Sequence, residues 1–128
     1  MKRIRTVRVG GSAALFGALA CIAAAPAIAA PLTCRWEEKQ QCDPGAGCKP
    51  IASKVWVVAD AEAKQYSRCD RNGCDSYHAV VTAGPGAYTF FDLLGRGMFL
   101  KLGPAGRATE VVTLGNSVLV SQGVCRAR

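Results

Sequence analysis

Two thiols, an imidazole and several oxygen-bearing side chains fall between Cys69 and His78, in the run Cys69-Asp70-Arg71-Asn72-Gly73-Cys74-Asp75-Ser76-Tyr77-His78. Four chemistries could use such a set. Zinc would take Cys69, Cys74 and His78, with Cys42 or Cys48 as a fourth ligand. Structural zinc sites, however, space paired cysteines by two to four residues and use a second such knuckle; here the intervals are four and five, and there is one histidine. Calcium would take Asp70, Asn72 and Asp75, but Gly73 stands at the fourth place where an EF-hand loop requires glycine at the sixth. Asn72-Gly73 reads instead as turn chemistry, with Asp70 accepting hydrogen bonds from turn amides. Dithiol redox catalysis needs two residues between its cysteines and an α/β setting. Nucleophilic hydrolysis would join Ser76 to His78, the one histidine, with no orienting acid or oxyanion loop in view. Among the acids, Glu110 alternates with Val112 and Leu114, so it is either buried or the outward mark of a strand. No catalytic residue, metal or cofactor is assigned on these grounds.

The elements that position these groups begin after an export leader. Lys2, Arg3, Arg5 and Arg8 precede an apolar run, and Ala27-Ile28-Ala29 matches the small-x-small cleavage pattern. Residues 1–29 are therefore expected to be a signal peptide and 30–128 a single domain, periplasmic or secreted, whose contact with a membrane is transient. The alternative is a lipoprotein anchored at Cys21, which follows Ala18-Leu19-Ala20. Of the sixteen Lys plus Arg, four leave with the leader, so twelve face nine Asp plus Glu. Such a mild excess, scattered along the chain, excludes a nucleic-acid partner.

Six cysteines remain: Cys34, Cys42, Cys48, Cys69, Cys74 and Cys125. An even count in an exported domain implies three disulfides, and fifteen pairings are possible. Easy closure of short loops favours Cys42 with Cys48 and Cys69 with Cys74, leaving Cys34 with Cys125 to join the domain's ends.

No segment after the leader carries a helical stripe. Short β-prone runs alternate with Gly, Pro and Asn instead: Leu32 to Glu38, Lys54 to Ala59, Lys64 to Cys69, Tyr77 to Thr82, Ala87 to Leu93, Met98 to Leu102, Thr109 to Leu114 and Ser117 to Ser121. Gly115-Asn116 suits a two-residue type II′ hairpin. About eight strands predict an all-β antiparallel meander closing into a small barrel, with a β-sandwich as the alternative. Gln40 to Ala52 reads as a disulfide-pinned loop. The aromatic residues form the core or an exposed patch, and of Phe90 and Phe91 only one can point inward.

At Tyr66-Ser67-Arg68-Cys69-Asp70, Gly73-Cys74-Asp75-Ser76-Tyr77 and Thr113-Leu114-Gly115 the chain resembles small uncharacterised exported proteins of alphaproteobacteria, a resemblance that carries no activity. More loosely, its size, export and meander are similar to the periplasmic inhibitors of C-type lysozyme. Those are small antiparallel barrels whose Ser-Gly-x-x-Tyr loop enters the lysozyme cleft. The nearest stretch here is Ala83-Gly84-Pro85-Gly86-Ala87-Tyr88, with alanine for the serine and one more residue before the tyrosine. The resemblance makes Gly84, Pro85, Gly86 and Tyr88 a candidate contact loop. The expected function is that of a non-enzymatic exported protein that binds an envelope protein or a small ligand. Inhibition of an envelope-directed hydrolase is the alternative, and a hydrolase using His78 a third.

Overall fold

Alternation of apolar and polar residues, cut at regular intervals by Gly and Pro, produces a chain of antiparallel hairpins. The computed structural model describes residues 30–93 and 95–127, so the expected leader and its lipidation alternative at Cys21 lie outside the described residues. Among the described residues ten strands form: β1 (Leu32–Asp43), β2 (Gly47–Pro50), β3 (Trp56–Asp60), β4 (Gln65–Asp70), β5 (Gly73–His78), β6 (Val80–Ala83), β7 (Thr89–Leu93), β8 (Met98–Leu102), β9 (Arg107–Leu114) and β10 (Ser117–Ala127). Nine make one hydrogen-bonded path in the order β5-β4-β3-β1-β10-β9-β8-β7-β6, and β2 attaches to β1. The two ends of that path, β5 and β6, are consecutive and separated only by Ala79. The sheet therefore curls into a nearly closed barrel, which decides between the barrel and the sandwich.

Two expected elements differ. Gln40 to Ala52 is a hairpin rather than a loop, because β1 runs on to Asp43 and pairs with β2 through Cys42 opposite Cys48. Tyr77 to Thr82 is two strands rather than one, since pairing with β4 ends at His78 and pairing with β7 starts at Val80. In both cases hydrogen-bond partners, not side-chain pattern, set the boundaries.

The register of β1 explains why its far half looked like a loop. A bulge between Trp36 and Glu38 shifts its pairing with β10 by one residue, so the inward face passes from Cys34 to Lys39. Such a bulge flips the phase of everything beyond it. At that level β10 carries Gly123, where a Cβ would stand 1.9 Å from the backbone oxygen of Arg35. Only glycine lets the two strands approach so closely.

Inside the barrel, Val57, Tyr66, Phe91, Leu93, Leu100 and Val112 are buried together with the Cys34–Cys125 bond. The other bonds are Cys42–Cys48 and Cys69–Cys74. All three join the expected partners, and in each case the two cysteines face one another across paired strands. Phe91 is the core member of its pair. Phe90 points outward and stacks with Tyr88 and Phe99, at centroid distances of 6.5 and 5.7 Å.

Candidate functional site

Two loops of the same design stand over neighbouring hairpins. Gly84-Pro85-Gly86-Ala87-Tyr88 links β6 to β7, and Gly103-Pro104-Ala105-Gly106-Arg107 links β8 to β9. Each opens with an extended glycine and a proline, makes one turn of 3-10 helix, and passes two residues through positive φ: Gly86 and Ala87 at 70° and 62°, Ala105 and Gly106 at 57° and 77°. Each closes on itself, the Gly84 N–H donating to the Tyr88 carbonyl at 2.8 Å and the Gly103 N–H to the Arg107 carbonyl at 2.7 Å. Alanine in this left-handed region costs roughly 1 kcal/mol or more. Surrounding contacts hold it there: Gly84 packs against the Phe90 ring and Gly103 against the Tyr88 ring so tightly that neither has room for a Cβ.

This packing fixes Tyr88 at the mouth of a groove of about 240 Å³, together with Lys101, Gly103, Arg107, Thr109 and Gln122. The Lys101 ammonium lies 4.3 Å from the centre of the Tyr88 ring. A cation held over an aromatic face is pre-positioned without being neutralised. Arg107 shares an exposed pair with Glu37 at 3.1 Å. Such a pair holds the guanidinium only weakly and leaves it available for exchange. The groove thus offers two cationic groups, a phenol, a hydroxyl and an amide, a set suited to carboxylate or phosphate oxygens.

Of the expected contact residues, the structure gives Gly84, Pro85 and Gly86 to the turn and brings Tyr88 to the groove. Lys101 and Arg107 were not singled out. The signal for Arg107 was the repetition of Gly-Pro at residues 84–85 and 103–104, each followed four places after the glycine by a groove residue, Tyr88 and Arg107; Lys101 had no such signal.

The reactive stretch from Cys69 to His78 is a hairpin. Its two sulfurs are bonded to each other, so neither offers the thiolate a metal or a redox cycle would use. Asp70 accepts a 2.7 Å hydrogen bond from the Asn72 amide, the expected turn contact. The two central turn residues are Arg71 and Asn72, with Gly73 opening β5. Ser76 shares a hydrogen bond with Ser67, and the hollow beside His78 is lined by Ala63, Lys64, Gln65, Ser76 and Tyr77, with no carboxylate among them.

A second constellation is sealed within the barrel. Glu110 on β9, Ser121 on β10 and Lys39 on β1 are successive cross-strand neighbours on the inward face, all buried. Glu110 is the buried acid, not the outward mark of its strand. Tyr66 reaches across to donate its hydroxyl hydrogen bond to Glu110 Oε1. Glu110 Oε2 and Ser121 Oγ have no partner among the described residues. Burial lowers the Lys39 ammonium from its usual range, and nearby Arg68 lowers it further while Glu110 opposes both. Burial raises the Tyr66 phenol far above its ordinary value, and Glu110 adds to the shift.

Compared with models of known families, with curated proteins and with solved structures, the chain finds no match.

Proposed function

We propose that this chain is a non-enzymatic binding protein of an oxidising compartment, periplasmic or secreted, that captures an acidic partner in the groove between its two Gly-Pro loops. The observation that carries the reading is the Lys101 ammonium held over Tyr88 beside Arg107, whose carboxylate partner, Glu37, is exposed and holds it only weakly. Three disulfides support the compartment, since such bonds persist where thiols are not kept reduced. Rigid loops support binding, because side chains already in place lose little freedom when a partner arrives. The test is a titration of nitrogen-labelled protein with citrate, against chloride at equal ionic strength. Saturable amide shifts confined to Tyr88, Lys101 and Arg107, and abolished by Lys101→Glu, are expected. Shifts spread evenly over all cations would sink the proposal.

Inhibition of a hydrolase such as C-type lysozyme is a second reading, favoured by the same feature. Glycosidases that work with paired carboxylates present an acidic cleft, and a narrow cationic loop complements it. Lytic activity should fall on addition of wild-type protein in excess and persist with Lys101→Glu. Undiminished lysis with wild type removes the inhibitor reading and leaves the general one standing.

A further inference from the structure

In a barrel that faces water, inward positions are apolar and the outward positions between them polar. From β6 to β10 the outward positions depart from that rule. Val80, Asp92, Phe99, Val111 and Val120 stand opposite one another across five successive strands, and only Asp92 among them is polar. Phe90 belongs to the next outward row and stacks with Phe99, their ring centres 5.7 Å apart. Val80 is 49% exposed, and Phe90, Phe99, Val111 and Val120 are half-buried. An apolar face this continuous on the outside of a small domain marks a contact surface.

Two charges interrupt the face in a particular arrangement. Phe90 and Asp92 are outward neighbours on β7, Phe99 and Lys101 on β8, with Asp92 opposite Phe99 and Phe90 opposite Lys101. The four form a tile, its rings on one diagonal and its charges on the other. The Lys101 ammonium lies over Tyr88, on the far side of Phe90 from Asp92 along the chain. The only ion pair among the described residues joins Arg107 to Glu37, so Asp92 has no cationic partner there.

We infer that this face docks a second copy of the chain, about a twofold axis running along the diagonal from Phe90 to Phe99. Such an axis lays each ring on its own counterpart and each Asp92 beside Lys101 of the other copy, as an isologous contact requires. This self-match selects the occupant. An uncharged apolar partner would desolvate Asp92 with no cation to meet it. A partner of uniform charge would be drawn to one corner of the tile and repelled by the other. A second copy alone brings both signs to the right corners. With strands about 4.8 Å apart and outward residues about 6.8 Å apart along each strand, the strands of the two copies cross at about 70°, near the orthogonal class of sheet packing. The docking does not rest on the acidic-partner reading of the Tyr88 groove; Lys101 serves the groove and the dimer one at a time.

Sedimentation velocity tests this on protein expressed from the full chain and purified oxidised. A range from about 10 μM to about 1 mM covers the affinities of an interface at the small end of known sizes. Wild type should pass from monomer to dimer across it. Asp92→Lys and Lys101→Asp each set like charges together twice, and each alone should weaken association at least about tenfold. An equimolar mixture of the two variants should dimerise again, since each supplies the charge that the other needs. The double variant Asp92→Lys/Lys101→Asp, with the charges exchanged, should dimerise by itself. Wild type that stays monomeric at every concentration overturns the proposal. Association that both single variants retain overturns it too, because the contact then lies elsewhere. So does a failure of both the mixture and the double variant to regain what the single variants lose.

Discussion

Glu110 has one oxygen satisfied by Tyr66 and one without a partner among the described residues, in a site fully removed from solvent. Removing the Tyr66 hydroxyl leaves both oxygens unsatisfied, and an unpaired buried polar atom costs about 1–3 kcal/mol. Tyr66→Phe should therefore lower the unfolding free energy by that amount, read from urea melts at neutral pH. The same cluster sets how stability varies in alkali. Lys39 titrates below its usual range in the folded chain. Between that lowered value and the ordinary lysine value the unfolded chain binds the extra proton, so stability climbs with pH. Tyr66 does the reverse. Its folded pKa is raised, so above the ordinary tyrosine value the unfolded chain has lost a proton that the folded chain keeps, and stability falls. Urea midpoints across this range should lose the climbing limb in Lys39→Met and the falling limb in Tyr66→Phe. Unchanged profiles in both variants would refute the coupling.

Closure of the sheet depends on how β1 and β10 pass each other at the bulge. Gly123→Ala places a methyl against the Arg35 carbonyl, a backbone atom that cannot rotate away. The strands must part, at the upper end of overpacking, about 3 kcal/mol; an unfolding midpoint equal to wild type would show that the bulge yields freely. Much of this layout was legible beforehand. Seven expected strands coincide with single strands of the barrel, because short β-prone runs, alternating as at Gln65-Tyr66-Ser67 or apolar on both faces as at Val55-Trp56-Val57, are separated by turn residues. Gly115 takes a φ of 58° between Leu114 and Ser117, as the II′ hairpin requires. What escaped was whatever depended on pairing. Gln40 and Gln41 read as loop because their polarity hides a strand that crosses a bulge, and Glu110 could not be placed until Tyr66 was seen opposite. In the candidate site, Tyr88 was legible from its loop, whereas Lys101 and Arg107 gained their role only when β8 and β9 brought them beside it.

At the scale of the molecule, the three disulfides do different work because they close very different loops. Cys34 and Cys125 lie 91 residues apart, whereas Cys42–Cys48 and Cys69–Cys74 span six and five. In the chain-entropy account the long link constrains the unfolded state by about 4–5 kcal/mol and each short one by about 2. Its sulfurs also lie within the core, where Cys34 is inaccessible to solvent, while Cys48 and Cys74 are exposed. Access and energy therefore act in opposite directions. Mild reductant should open the two hairpin bonds first, with little change in the barrel, and reach Cys34–Cys125 only through unfolding. Mass spectrometry of quenched, alkylated samples gives the order, and the double variant Cys34→Ala/Cys125→Ala should lose more stability than Cys69→Ala/Cys74→Ala. Arg35 on β1 and Val124 on β10 flank this bond, with Arg107 one strand further. Early reduction of Cys34–Cys125, or equal losses in the two double variants, would show that the hydrogen-bonded pairing of β1 with β10 holds the barrel together without the covalent link.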